Sequence, residues 1–184
     1  MSLTETPICN FGEKAKDFNL LSTENKRVSL KDVSGKNGTL IMFICNHCPY
    51  VKAVIKGISA DAKELEYIGI KTVAIMSNDI KNYPDDSFEN MIGFSKINNF
   101  SFPYLIDETQ QVAKAFGAVC TPDFFGYNKD MQLQYRGRFR ELKKLKPVID
   151  GASDLNTAMK LIANTGKGPE NQIPSMGCNI KWYK

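Results

Sequence analysis

The stretch Thr39-Leu-Ile-Met-Phe-Ile-Cys45-Asn-His-Cys48-Pro49 joins an apolar run to two cysteines that are separated by two residues. The run at 39–44 is continuous and is bounded by turn residues, which is typical of a buried strand. A proline is tolerated in the first turn of a helix, where its missing N–H would have no partner. Beyond it, apolar residues recur at steps of four and three, as on one face of a helix: Val51, Ile55, Ile58, Ala62 and Leu65. The stretch therefore predicts a strand, a Cys-x-x-Cys motif and a helix, in that order.

The segments around this stretch predict an α/β fold. Residues 70–76 form a second apolar run, so the chain from 39 to 76 predicts a βαβ unit with parallel strands. An edge β-hairpin is predicted before it, within residues 12–33. The elements predicted after it are a helix at 87–98, a short strand at 103–107, a helix at 109–116, an antiparallel hairpin between 123 and 139, and a helix at 154–163. This order predicts a central mixed β-sheet flanked by helices.

The length of the chain, 184 residues, suits a single domain with its own core. We predict one domain over residues 1–184, with a core at about 12–164. The C-terminal tail at 165–184 is predicted to pack on this core through Ile180 and Trp182.

Charge and hydropathy bear on location and partners. The formal net charge of +4 is mild and evenly spread, so we expect no nucleic-acid partner. Residues 1–10 lack the basic and apolar regions of a secretory signal, and no window has the length of a membrane span. We therefore expect a cytoplasmic location and no membrane partner.

The sequence contains five cysteines, at positions 9, 45, 48, 120 and 178. An odd number in a reducing compartment favours reactive or metal-binding thiols over a disulfide framework. If the helix starts at the first cysteine of the motif, Cys45 lies at its N-terminus, where free N–H groups and the helix dipole stabilise a thiolate. Cys48 then lies one turn inside the helix, and it is predicted to keep its proton until it resolves a mixed disulfide.

The two residues between these cysteines are Asn46 and His47, and His47 is the only histidine in the chain. An imidazolium or an imidazole N–H near a thiolate lowers the pKa of the thiol and makes the pair more oxidising. We therefore predict that His47 tunes the pair. The alternative is a solvent-facing residue without a role.

The Thr121-Pro122 step precedes a predicted strand. A cis proline at such a place could expose the preceding backbone N–H and C=O to an extended partner. The alternative is an ordinary proline at the start of a strand.

A metal site is the second interpretation of the cysteine motif. Cys45, His47 and Cys48 could be ligands, with Cys120 or Cys178 as the fourth. The sequence contains neither a second Cys-x-x-Cys nor a His-x-x-x-His, which would have strengthened this interpretation. We therefore expect no metal and no other cofactor. A purely structural pair is the third interpretation.

Three segments resemble the thioredoxin superfamily, in particular its redoxin branch, the AhpC/TSA type. They are residues 42–51 with the motif Cys45-Asn-His-Cys48-Pro49, residues 120–125 with Thr121-Pro122, and residues 177–182. The resemblance covers about residues 10–184. It implies a thioredoxin fold, Cys45 as the nucleophile, Cys48 as the resolving thiol and a cis Pro122. It also implies that Cys120 lies near the Cys45 sulfur.

The sequence departs from two members of that superfamily. Peroxiredoxins place a proline and a threonine or serine ahead of the peroxidatic cysteine, whereas Ile41-Met-Phe-Ile precedes Cys45 here. Thioredoxin has a tryptophan directly before its first cysteine, and position 44 here is isoleucine. Both departures argue against a peroxide pocket and against a general thioredoxin.

The function expected from the sequence is thiol–disulfide exchange with protein or low-molecular-weight thiol partners, followed by reduction through an external thiol system. One alternative is a peroxiredoxin-like antioxidant peroxidase that uses Cys45 with Cys48 or Cys120. The other is a metal-binding, redox-sensing module. If the tail packs near the motif, Cys178 could act as a further redox thiol.

Overall fold

The computed structural model describes residues 3–184. Its α-helices in this range are α1 at Pro49–Tyr67, α2 at Phe88–Ile97, α3 at Gln111–Phe116 and α4 at Asp154–Thr165. Its strands in this range, numbered β1 to β12 along the chain, are Leu3–Glu5, Asn19–Ser22, Arg27–Ser29, Gly38–Phe43, Ile70–Met76, Tyr104–Ile106, Cys120–Thr121, Asp123–Tyr127, Leu133–Tyr135, Leu142–Lys143, Lys146–Pro147 and Met176–Asn179.

Seven of these strands form the central sheet, in the order β3-β2-β6-β5-β4-β8-β9. Strand β4 pairs in parallel with β5 and antiparallel with β8, and β5 pairs in parallel with β6. The sheet is therefore mixed, as predicted, and the βαβ unit is formed by β4, α1 and β5. The predicted N-terminal hairpin is formed by β2 and β3, and β3 is the edge strand.

The sheet is covered on both faces because β4 is apolar along its whole length and side chains alternate across a strand. Leu40 and Met42 pack with the apolar faces of α1 and α4. Ile41 and Phe43 point to the other face, where they pack with Phe116 of α3. The predicted flanking of the sheet by helices is thus confirmed, and the C-terminal end of β4 is fixed between two packed layers.

Helix α1 begins after the second cysteine of the motif. Its N-cap residue is Cys48, and Pro49 occupies the first turn. The prediction that Cys48 lies one turn inside the helix is therefore wrong. A proline at the first helical position has the backbone angle of a helix start, and it favours the beginning of α1 at this point.

A second, smaller sheet lies beside the motif, and the sequence did not predict it. Its order is β1-β12-β7, with antiparallel pairing throughout. Its strands are two to four residues long and come from the two ends of the chain and from the segment before Pro122. Strands this short carry no clear periodicity, and their pairing depends on the packed fold. The sheet connects the tail with the motif.

The basic run at 136–146 is not exposed to solvent along its whole length. Arg136 is buried and forms an ion pair with the buried Asp123. The rest of the run includes the short hairpin of β10 and β11. Among the described residues, no helix is long and apolar enough to cross a membrane.

Candidate active site

The two motif cysteines lie side by side at the end of β4 and the start of α1. Both residues are buried, with 1% of Cys45 and 0% of Cys48 exposed. The Cys45 sulfur lies 3.3 Å from the hydroxyl oxygen of Thr121. The Cys48 sulfur lies 3.1 Å from the carbonyl oxygen of the same threonine. Thr121 therefore contacts both sulfurs.

The Thr121–Pro122 peptide bond is cis, as the resemblance implied. The backbone before it is not free for an extended partner. Strand β12 pairs with it, with Cys178 opposite Thr121 and Asn179 opposite Cys120. The backbone to which an extended partner could have paired is therefore occupied by the C-terminal strand of the same chain.

Cys178 is brought to the motif by this pairing. Its sulfur lies 3.1 Å from the sulfur of Cys48. Three of the five cysteines of the chain therefore meet at one place in the structure. The sequence signal for this was weak, since it consisted of Ile180 and Trp182, the two residues predicted to anchor the tail.

The acidity of the two thiols differs from the expectation. A hydrogen bond from the Cys45 thiol, together with hydrogen bonds from Cys178 and from the Val51 backbone, lowers the pKa of Cys48 to about 5. Hydrogen bonding to Cys48, burial and the nearby charge of Asp86 raise the pKa of Cys45. Both directions favour a thiolate at Cys48 over one at Cys45, and the N-cap position of Cys48, with free N–H groups nearby, acts in the same sense.

Asp86 is a site residue that the sequence did not reveal. Its Oδ1 accepts from the backbone N–H of Asn46 at 2.8 Å and from that of His47 at 3.3 Å. Its Oδ2 lies 2.6 Å from the His47 Nδ1 and accepts from the Asn78 side chain at 2.8 Å. Asp86 lies in a polar turn, Pro84–Asp86, and no local pattern distinguishes it from the exposed Asp85 beside it. This carboxylate fixes the backbone between the cysteines.

His47 contacts this carboxylate. The hydrogen bond to Asp86 raises the pKa of His47, against the effect of partial burial. Its ring stacks on Tyr83 with the centroids 5.8 Å apart. Hydrogen bonds from His47 and Asn78 also outweigh burial at Asp86 and lower the pKa of that carboxyl. An influence of His47 on the thiols therefore passes through Asp86, whose charge lies beside Cys45.

The other predicted site residues are placed as follows. The Asn46 side chain accepts a 3.0 Å hydrogen bond from the hydroxyl of Tyr104. The Cys120 sulfur lies 3.6 Å from the carbonyl oxygen of Pro122, and burial raises the pKa of this thiol. Cys120 is thus a protonated, buried thiol that contacts the backbone.

A different group of residues has the spacing of a metal site. Ligand atoms of Cys45, His47 and Asp86 lie within 4.8 Å of one another. This differs from the set that the sequence suggested, because Asp86 joins it. The His47 nitrogen and the Asp86 oxygen are, however, already at the distance of a charged hydrogen bond. The His47 nitrogen and the Asp86 oxygen are therefore arranged to share a proton.

Replacing Asp86 with asparagine is expected to lower the free energy of unfolding at neutral pH by about 2–3 kcal/mol, because charge-assisted hydrogen bonds to the motif are lost. The folded-state pKa of Asp86 is lowered. The contribution of Asp86 to the free energy of unfolding is therefore present above the pKa that this carboxyl has in the unfolded chain. It is lost as the pH falls through the pKa of the folded state. The folded-state pKa of His47 is raised, so its contribution is fully present below its unfolded pKa and is lost as the pH rises through the folded value.

Urea unfolding between pH 3 and 9 measures this effect. We expect the wild type to lose stability at both ends of this range relative to Asp86→Asn. The control is Asp85→Asn, because Asp85 is exposed and offers only its backbone carbonyl to the motif. If the free energy of unfolding depended on pH in the same way in the wild type and in Asp86→Asn, the stabilising role assigned to the Asp86 carboxylate would be contradicted.

Comparison with known proteins places the chain in a family. Residues 11–139 match the AhpC/TSA family. The chain belongs to this family. The expected membership of the redoxin branch is confirmed. No curated protein matches the chain.

Solved structures are similar to the chain over most of its length. The chain is 39% identical to an uncharacterized conserved protein from Geobacillus kaustophilus, with a TM-score of 0.93 and coverage of 100% of this chain and 97% of that one. It is 34% identical to a hypothetical protein from Sinorhizobium meliloti 1021, with a TM-score of 0.89 and coverage of 97% of both chains. A thiol:disulfide interchange protein of the thioredoxin family from Chlorobium tepidum TLS has a TM-score of 0.63 at 15% identity, covering 83% of this chain and 97% of that one. The last similarity shows the thioredoxin-like fold alone.

Proposed function

We propose that this AhpC/TSA family member is a thiol–disulfide oxidoreductase in which Cys45 attacks a substrate disulfide and Cys48 resolves the intermediate. One observation carries the proposal: two buried thiols lie together at a helix N-cap, and both sulfurs contact Thr121 beside the cis Pro122. The hydrogen bond between the two thiols lowers the pKa of Cys48 to about 5. A dithiol that holds one negative charge at neutral pH has a reactive thiolate and a proton donor in contact.

The reaction follows from this arrangement. Cys45 attacks one sulfur of the substrate disulfide and gives its proton to the Cys48 thiolate. The substrate S–S bond breaks, and the leaving substrate sulfur takes up the proton from Cys48. The restored Cys48 thiolate then attacks the Cys45 sulfur, which forms the Cys45–Cys48 disulfide and releases the second substrate sulfur as a thiolate. The substrate gains two electrons, and two thiols of an external reductant return the protein to its dithiol form.

Thr121 supports the assignment of the attacking sulfur. Its hydroxyl lies against Cys45 and can donate a hydrogen bond to the thiolate that forms there, which lowers the pKa of this thiol. The Cys48 sulfur is instead enclosed between the Thr121 carbonyl and the Cys178 sulfur. Charge that develops on Cys45 during the attack is therefore met by the Thr121 hydroxyl, and Cys48 is the inner partner.

The test combines a redox titration with a turnover assay on the wild-type protein. We expect a two-electron transition in glutathione buffers, within the range of about −270 to −120 mV found for related pairs. We also expect faster reduction of insulin disulfides by dithiothreitol in the presence of the protein. Cys9→Ser is the control, because Cys9 lines a separate surface cavity with Phe11 and Arg136. A pair that stays reduced at all potentials and does not accelerate insulin reduction would refute the proposal.

A peroxidase is the second candidate, and family membership is the observation that favours it. The four residues directly before Cys45 lie at the end of β4 and just after it, and their side chains are buried and apolar. They therefore offer no hydroxyl to a peroxide. We therefore expect hydrogen peroxide to oxidise the protein no faster than it oxidises free cysteine. Stopped-flow measurement of thiol loss separates the two functions, and a rate far above that of free cysteine would favour the peroxidase.

A further inference from the structure

The C-terminal tail is held against the motif on both sides of Cys178. Before it, the Ser175 hydroxyl donates a 2.7 Å hydrogen bond to the carbonyl oxygen of Pro122. After it, Ile180 is buried in the core and the backbone N–H of Lys181 donates a 2.8 Å bond to the Asn78 side chain. Anchors on both sides leave the Cys178 sulfur little freedom to move away from Cys48.

Gly177 shows how closely the tail approaches. A Cβ atom at this position would collide with the carbonyl oxygen of Thr121, so a side chain cannot be accommodated there. A glycine inside a strand often marks such a close backbone approach. The residue before Cys178 thus permits the contact between β12 and β7 that brings the two sulfurs together.

We propose that Cys178 is a third redox thiol that accepts the disulfide from the Cys45–Cys48 pair. The proposal rests on the function proposed above. The Cys178 sulfur attacks the Cys48 sulfur, a Cys48–Cys178 bond forms and the Cys45–Cys48 bond breaks. Cys45 leaves as a thiolate and takes up the proton that Cys178 loses. Because the step exchanges one disulfide for another, it needs no further oxidant or reductant.

Geometry and electrostatics favour this step once the pair is oxidised. The two sulfurs are 3.1 Å apart, which is the separation of reacting atoms poised for attack. Burial and the neighbouring Cys48 thiolate raise the pKa of Cys178 to about 12 in the reduced protein. Oxidation of Cys48 removes that negative charge, so Cys178 then loses its proton more readily. Cys178 is thus a protonated, unreactive thiol in the reduced protein and becomes a nucleophile in the oxidised one.

Cys178 occupies the place of a substrate strand. Its strand pairs with the backbone before Pro122, to which an extended partner could otherwise pair, and it presents a sulfur to the motif. The tail therefore acts as an internal disulfide partner. The exchange moves the disulfide one step away from Cys45 and returns Cys45 to its thiol form while the protein remains oxidised.

Tryptic mapping of the oxidised protein distinguishes the two disulfides. Cys45 and Cys48 share the tryptic peptide 37–52, whereas Cys178 lies in 168–181 and Cys120 in 115–129. The protein is oxidised with diamide, quenched with acid, blocked with N-ethylmaleimide and digested. For the wild type we expect both the internal disulfide of 37–52 and a cross-link between 37–52 and 168–181. For Cys45→Ser we expect the cross-link as the main product.

Two double variants provide the controls. Cys45→Ser with Cys178→Ser should lose the cross-link, whereas Cys45→Ser with Cys120→Ser should keep it. The inference is wrong if Cys45→Ser leaves Cys48 unpaired or joins 37–52 to 115–129. The same holds if the wild type forms only the internal disulfide, and that measurement needs no variant. A wild type that forms no disulfide at all would instead refute the proposed function.

Discussion

Replacement of Cys45 with serine is expected to reduce insulin-disulfide turnover to the rate of dithiothreitol alone. Serine is similar in shape to cysteine and slightly smaller, but it cannot form the mixed disulfide with the substrate. Cys48 remains at the helix N-cap, enclosed by Thr121 and Cys178. We therefore expect no compensation by the inner thiol in turnover of a protein substrate.

Replacement of Cys48 with serine has a different expected result. Cys45 can still attack, but the intermediate cannot be resolved, so a stable mixed disulfide with the substrate should accumulate on Cys45. Non-reducing electrophoresis and mass mapping detect this species, and Cys120→Ser serves as a control for the loss of a buried thiol outside the pair. Undiminished turnover by Cys45→Ser would contradict the roles, and so would a mixed disulfide that forms on Cys48 in that variant.

Replacement of Arg136 with methionine is expected to lower the free energy of unfolding by about 3–5 kcal/mol, because it leaves the buried Asp123 without its counter-charge. The guanidinium binds both carboxylate oxygens, at 3.3 and 3.0 Å, and donates a 2.7 Å hydrogen bond to the Gly117 carbonyl. It also lies 4.4 Å from the centre of the Phe125 ring. Burial raises the pKa of Asp123, and Arg136 opposes this rise.

Loss of the Arg136–Asp123 ion pair is expected to affect the candidate site as well. Asp123 follows Pro122 directly and accepts a hydrogen bond from the Val119 backbone. Arg138→Met is the matched control. Arg138 forms its ion pair with Asp154 at partly exposed positions, so we expect a loss below about 1 kcal/mol. The double variant Asp123→Asn with Arg136→Met should recover part of the lost stability, since it removes the unpaired charge. Urea unfolding measures all three, and equal losses for Arg136→Met and Arg138→Met would contradict the assignment.

The elements with long apolar periodicity were predicted correctly from the sequence. Strand β4, helix α1 and strand β5 were predicted from residues 39–76. Each of them buries apolar residues that recur at a regular spacing within one short segment of the sequence. Strands β1, β7 and β12 were missed because they have only two to four residues, and they form only through pairing with one another. The start of α1 was placed too early because the sequence shows the apolar face of a helix more clearly than its first turn.

The sequence by itself determined the chemistry at the centre of this protein: two thiols between a buried strand and a helix, with one histidine between them. Tertiary structure alone decided which groups surround those thiols. Asp86 lies 40 residues from Asn46 along the chain, Thr121 lies 73 residues from Cys48, and Cys178 lies 130 residues from it. Acidity depends on such contacts, since hydrogen bonds and charges act through space and not along the chain. For this reason the sequence located the cysteine pair, whereas the folded chain lowered the pKa of Cys48 and brought a third thiol to its side.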